Sequence, residues 1–457
     1  MSRNVLIILV ILLAAFVPFV ASGYSELNKA RTTPSHLDAA EHYLAAARRI
    51  PWRPDLYELA GHYFYHAAEY ARAQDAYQMT FDRNALSPEG WVAWGDVIYL
   101  GGEAERAADL WEQGLAQPHP SVKLYSRLAE IRQQGGDYTK AAQYLGLYVA
   151  DYGDDAPAHY RLGLLLTLSD PGRALSEMLS ASQLDPQFDP AAQTLRTALN
   201  LSALAGTPSD QKVIIGGGLG LVDEWGLARA AFDEAVKLDG KNAEAWAWLG
   251  EADQHTAGNE ALNHLERALD LDSNSPVVRG LRGLYFQRTG NHRQALIEFQ
   301  TAAKLEPENP AWYVSIGDEF TNLGDLILAL EAHQVATTVA PGDASYWRLL
   351  ADFCARNGIR IRDVGIPAAQ TAVKLAPDDP LALDTLGWSL VLDGRYYEAE
   401  RFLSRALDAA PRLASAHFHL ALLYLETNNT DAMREHLVQA RDLGSKEAEA
   451  LLNQYFP

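Results

Sequence analysis

GLYFQRTGNHRQALIEFQTAAKLEP (283–307) and GDEFTNLGDLILALEAHQVATTVAP (317–341) are two lines of one pattern. Laid over each other at a step of 34 residues, Gly283 meets Gly317, Gly290 meets Gly324, Ala295 meets Ala329, Ala302 meets Ala336 and Pro307 meets Pro341. Pro377 and Pro411 repeat the interval, with Gly387, Ala399 and Ala406 in matching places. Each line reads as two helices. Intervals of three and four hold the marked positions on one helix face. Small residues there let two helices approach, and large ones fill the space between. A glycine turn separates the two, and proline stops the second because it lacks an N–H and clashes with the preceding turn.

The pattern extends in both directions. In the first half it is anchored at Tyr57/Gly61/Phe64, Trp91/Gly95/Trp111, Tyr125/Ala129/Ala141 and Gly163/Ala174/Ala181. In the second half it is anchored at Trp246/Gly250/Ala268, Trp347/Ala351/Ala372 and His417/Ala421/Ala440, besides the units already named. The Trp347 unit carries two extra residues, in IRIRDVGIP. A half-unit, LDAAEHYLAAARRIP, opens the array at 37–51, and SKEAEALLNQYF closes it as a capping helix.

This order of small and large positions in a 34-residue unit resembles the tetratricopeptide repeat, over roughly residues 37–443. The resemblance implies an all-α solenoid, a right-handed superhelix of about 11–12 antiparallel helix pairs, whose first helices line a concave groove. It implies a non-catalytic scaffold or adaptor that binds protein or peptide segments in that groove. Relatives that grip the terminal carboxylate of chaperone tails use Lys and Asn on this face. The matching Lys positions here hold Glu58, Val92, Ser126, Tyr160, Ala247, Gly280, Val314, Arg348, Asp384 and Phe418, so that mode is not expected.

IIGGGLGLVDEWG (214–226) looks at first like a phosphate loop. Its spacing fails: G-x-G-x-x-G begun at Gly216 meets Leu221, begun at Gly218 it meets Asp223, and no Gly-Lys follows. Counting back from Ala228, Phe232 and Ala235 puts Gly216 at the small position of a first helix, with Gly217, Gly218 and Gly220 in surplus. The surplus reads as a thin packed helix or as a hinge or notch. The helix predicted over 190–205 and this stretch form an irregular region, and a ligand-binding or enzyme-accessory site at 190–226 is the alternative function. A self-assembling structural array is another.

The net charge is −21, which disfavours nucleic acid and anionic lipid as partners. The single cysteine, Cys354, excludes an internal disulfide and a Cys-rich metal site. His62 and His66 have chelating spacing but lack the H-E-x-x-H context. No catalytic, cofactor or metal residues are expected. Arg3, the apolar run 5–17, Pro18 and the small residues Ala21, Ser22 and Gly23 read as a signal peptide or a retained anchor. Either exports the chain, anchored to the membrane through 5–22 if uncleaved or secreted. The expected divisions are 1–23 signal or anchor, 24–36 linker, 37–187 first repeat block, 188–240 irregular repeat, 241–443 second block and 444–457 cap.

The candidate partner-binding residues are those on the first-helix face. They are Asp96, Glu130, Glu251, Asp318 and Asp352 just after the small position, with Trp248, His255, Thr321, Asn322, Arg348, Arg356, Asp384, Trp388 and His419 nearby. An acidic inner stripe would favour basic segments by screened attraction, and Trp388 and Trp248 read either as aromatic anchors or as side chains packed into a neighbouring repeat. Self-association is a further expectation.

Overall fold

The computed structural model describes residues 3–256 and 258–456; the side chains of residues 1–13 and 15 lie outside the described set. Much of the signal or anchor expected at 1–23 therefore also lies outside it. The described residues are all-helical, with no strand. Two compact units are present, Met1–Asn200 and Leu201–Pro457.

In the first unit, helices pair in chain order. The pairs are α1 (Arg3–Thr32) with α2 (His36–Arg49), α3 (Asp55–His66) with α4 (Tyr70–Phe81), α5 (Pro88–Leu100) with α6 (Ala104–Leu115), α7 (Lys123–Gln134) with α8 (Tyr138–Asp151), and α9 (Ala156–Leu166) with α10 (Pro171–Leu184). A 3-10 turn, Pro186–Phe188, leads into α11 (Asp189–Ser202).

The second unit repeats the scheme with α12 (Pro208–Leu221) and α13 (Trp225–Leu238), α14 (Ala243–His255) and α15 (Ala261–Leu271), α16 (Pro276–Arg288) and α17 (His292–Leu305), and α18 (Pro310–Asn322) and α19 (Leu326–Val339). It continues with α20 (Ala344–Asn357) and α21 (Ile366–Leu375), α22 (Pro380–Leu392) and α23 (Tyr396–Ala409), and α24 (Ala414–Glu426) and α25 (Thr430–Asp442). The last helix, α26 (Lys446–Tyr455), buries Ala448 and Leu452 against Met433, Leu437 and Ala440 of α25.

The pairing follows from the marked residues. A Cβ on Gly95 would lie 1.9 Å from Trp111 Nε1, and one on Gly114 would lie 2.9 Å from Trp91 Cβ. Contact moves down one helix as it moves up the other, so α5 and α6 are antiparallel. Gly283 faces Phe299 and Gly387 faces Leu403 in the same way. First helices start on side-chain caps such as Ser87, Asn242 and Asp379, each accepting a backbone N–H of the first turn. Gly290 and Gly324 turn the chain between helices at φ of +76° and +84°, where a Cβ is disfavoured. The insertion in the Trp347 unit becomes a π-helical turn, Ile361–Gly365, just before α21.

Two expected divisions are corrected. Residues 24–32 are not a linker: α1 runs through them, with Leu27 4% and Ala30 1% exposed in the core shared with α2. The half-unit at 37–51 is thus the second helix of a complete pair. The irregular repeat 188–240 is divided, and its Gly-rich hairpin α12/α13 is the first pair of the second unit. Phe232 of α13 stacks on Trp248 of α14 at 5.8 Å, and Asn242 reaches Ser209 and Asp210.

The glycine run resolves residue by residue. A Cβ on Gly216 would lie 2.4 Å from Phe232, so this is the small position. One on Gly220 would touch the Trp225 ring at 3.0 Å, and one on Gly217 would meet nothing within 4 Å. Close packing therefore does not account for Gly217. Gly217→Ala should stabilise the second unit by about 1 kcal/mol, because alanine is the better helix former and nothing opposes its methyl. Urea unfolding measures it; an unchanged or lowered midpoint would show that Gly217 has a conformational role.

Candidate partner-binding faces

The residues expected to form an acidic stripe do lie on first helices, but Asp96 and Glu251, with Asp384 nearby, are paired by a neighbouring repeat. Asp96 on α5 accepts two hydrogen bonds from Arg127 on α7, at 2.8 and 3.0 Å. Glu251 on α14, 3% exposed, accepts from Arg288 on α16 at 2.6 and 2.8 Å and from His255 at 3.2 Å. Asp384 on α22, 4% exposed, accepts from His419 on α24 at 2.7 Å. Asp352 on α20 pairs with Arg356 one turn on, at 2.9 Å. Buried carboxylates survive only when paired and hydrogen-bonded, and here the partner sits about one repeat downstream.

The aromatic anchors divide. Trp248, partly buried, packs on Phe232 of the preceding pair, the second of the two readings open to it. Trp388 stacks on His419 at 4.7 Å and 7°, and its other surroundings form a recess of about 460 Å³ with Val391, Leu392, Tyr396, Leu422 and Glu426. Glu426 is exposed and has no ion pair among the described residues. His255 stacks on Trp225 at 3.7 Å and 5°. Thr321 bonds back to the Gly317 carbonyl at 2.8 Å, Asn322 is exposed, and Arg348 is half-buried on α20. In the first unit, Glu130 stands exposed at the rim of a smaller recess, about 190 Å³, floored by Tyr65, Tyr99 and Trp111 beside the Asp96–Arg127 pair.

Asp318, like Glu130, has no arginine or lysine partner among the described residues. Its side chain is 55% exposed and lies 3.8 Å from His333 Nε2. Burial first, then the charges of Glu319 and Asp352, push its carboxyl up to about 6, against the pull of Arg356. His333 on α19 fills the place that Phe299 holds beside Gly283. It is 3% exposed, neither ring nitrogen has a hydrogen-bond partner among the described residues, and burial pushes it down to about 4. The two shifts have opposite signs. Asp318 holds its proton in the folded state, so its stabilising effect fades as pH rises from about 4 to 6. His333 must stay neutral when folded, so its effect makes stability rise with pH from about 4 to 6.5. His333→Phe should remove an unsatisfied buried group, gaining about 1–3 kcal/mol. It should also flatten the rise in stability with pH between about 4 and 6.5 that His333 causes, since the half-exposed Asp318 carboxyl is screened by solvent. Chemical denaturation across that range is the check; parallel wild-type and variant profiles would refute the role of His333.

Sequence reasoning missed the partners of the stripe: Arg127, Arg288 and, beneath it, Asp253. Asp253 is fully buried and accepts from Arg229 Nε at 2.6 Å and from His264 Nδ1 at 2.8 Å. A usable signal was present, since an Arg or His stands 31, 37 and 35 residues beyond Asp96, Glu251 and Asp384. His62 and His66 do not converge: His62 Nδ1 lies 2.9 Å from the Tyr77 hydroxyl, and His66 packs edge-on against His36. Cys354 is buried, which pushes its thiol up to about 11 and keeps it unreactive.

Pair after pair, the glycines and alanines of the 34-residue step sit against the large residues of the partner helix. In step length, helix pairing and order of small and large positions the chain resembles the tetratricopeptide repeat. No family profile matches it. It is similar to a peroxisomal targeting signal receptor of Candida albicans, at 26% identity over 48% of this repeat chain and 38% of that protein. It is also similar to human superkiller complex protein 3, at 22% identity over 52% of this chain and 15% of that one. The chain thus spans well under half the length of either relative. Among solved structures it resembles yeast Tom70 (15% identity, TM-score 0.43, covering 97% of this chain and 95% of that one). It also resembles the APC/C hetero-tetramer Cut9–Hcn1 (14% identity, TM-score 0.45, 98% of each).

Proposed function

We propose that this chain is a non-catalytic scaffold that binds segments of partner proteins along the first-helix faces of its repeats, outside the cytoplasmic membrane and held there by residues 5–22. The observation that carries the reading is the recess beside Trp388. A rigid indole, locked by the His419–Asp384 network, stands next to apolar Leu422 and the unpaired carboxylate of Glu426. Such a recess suits an apolar side chain flanked by a cation or an N–H donor, with the aromatic as anchor. The names of the similar proteins, a targeting signal receptor and a complex member, agree with protein binding.

The test is affinity capture with the full chain, beside Trp388→Ser, Glu426→Lys and, as a control on α23, Tyr397→Ser. A partner should bind the wild type and the control alike and lose about tenfold or more in affinity with either recess variant. Equal binding by all four would remove the recess from the function. A reporter active only outside the membrane, fused after Pro457, tests the location; a silent fusion would overturn it.

A further inference from the structure

The N-terminal edge of the first unit presents an exposed cluster that the groove does not use. The packing stripe of α1 runs through Gly23, Leu27 and Ala30, at intervals of four and three. A Cβ on Gly23 would lie 2.7 Å from Ile50, at the end of α2. Phe16 and Phe19 continue the same stripe toward the N-terminus, past the end of α2, and are 48% and 49% exposed. Trp52, in the turn after α2, is 51% exposed and meets Phe16 at 6.1 Å between ring centroids. The helix that carries these rings is continuous with the apolar run 5–17, and no charged residue falls between Arg3 and Glu26.

The same turn is basic within a chain of net charge −21. ARRIPWRP (47–54) brings three arginines around Trp52. Arg48 is exposed with no ion pair among the described residues, Arg53 is held by Asp55 at 2.6 Å, and Arg49 lies 3.5 Å from Glu26, which Lys29 also neutralises. Exposed rings at the end of an apolar helix, rimmed by arginine, match the headgroup layer of a bilayer, where amphipathic rings settle and basic side chains meet lipid phosphate.

We infer that Trp52, with Arg48 and Arg53, forms a docking surface for an anionic lipid bilayer beside Phe16 and Phe19 of the anchor, seating the first helix pair on the membrane where α1 enters it. The inference rests on the reading of α1 as a retained anchor. Docking gives the repeats a fixed base, and the acidic remainder is repelled from the same surface.

The test uses the full chain in vesicles of phosphatidylcholine and phosphatidylglycerol. Trp52→Cys carries a fluorophore, with Leu147→Cys, exposed on α8, as reference; the buried Cys354 stays unlabelled. Lipids brominated near the headgroup should quench the label at 52 about threefold more than that at 147. Phosphatidylcholine alone, or Arg48→Gln with Arg53→Gln, should weaken quenching at 52. Vesicle flotation separates the two readings. A chain that fails to float overturns the anchor. A chain that floats with equal quenching at 52 and 147 keeps the anchor and overturns the docking surface. Quenching indifferent to lipid charge and to the arginine variants overturns the anionic preference.

Discussion

Asp253→Ala should cost the second unit about 3–5 kcal/mol, the range for removing one member of a buried ion pair. The carboxylate is fully buried and joins three helices, accepting from Arg229 of α13 and His264 of α15 while it sits on α14. Alanine leaves both donors unpaired and opens a void beside Gly258. Arg229 is 44% exposed on its side chain and can recruit water, so the loss falls mainly on His264, at 19%. Asp253→Asn keeps an acceptor of the same shape and should cost roughly half as much. Repeat stacks unfold in pieces, so amide exchange read helix by helix is the proper measurement. Protection should fall first in α13–α15. A loss spread evenly over the unit, or one below about 1 kcal/mol, would show that the network contributes little.

Gly95→Ala should be nearly as damaging for the first unit. The added methyl would sit 1.9 Å from Trp111 Nε1 and 2.4 Å from its Cδ1. Trp111 is 1% exposed and donates its indole N–H to the Val92 carbonyl at 3.1 Å, so the ring can yield only by giving up that bond. Overpacking and the orphaned indole together should cost about 3 kcal/mol, a fall of about 6–12 °C in Tm for a unit of this size. Trp111→Leu in the same chain should recover part of the loss by making room. If the double variant is no better than Gly95→Ala alone, the clash is not the cause.

The repeat register was legible because it is carried by volume: Gly95, Gly216 and Gly283 each face a large ring, and only one alignment puts a small residue opposite every large one. The nucleotide-like glycine run was legible for the same reason. The electrostatics were not. Acids on the first-helix face look free in a sequence, and their partners lie on another helix, one repeat away, at spacings that vary from 31 to 37 residues. A local reading therefore overstates the negative stripe. The end of α1 was missed because its buried stripe has only Gly23, Leu27 and Ala30, too sparse to stand out in GYSELNKART. Trp248 stayed open between anchor and packing because an aromatic on a first helix can face either outward or into the preceding pair, and periodicity gives both the same position.

The carboxylates paired across repeats bear on how such a chain can change length over evolution. Its backbone is modular, and a hairpin could be duplicated or lost with little disturbance to its neighbours' hydrophobic contacts. Its charges are not. Deleting α16 and α17 would strip Glu251 of Arg288 and Glu319 of Gln287 and His292 in one step, leaving Glu251 only its own helix's His255 and Gln254 and taking both of Glu319's hydrogen-bond donors. Gain or loss of a repeat here must be accompanied by neutral substitutions at both ends of the cut, which ties the copy number of this array to its polar sequence.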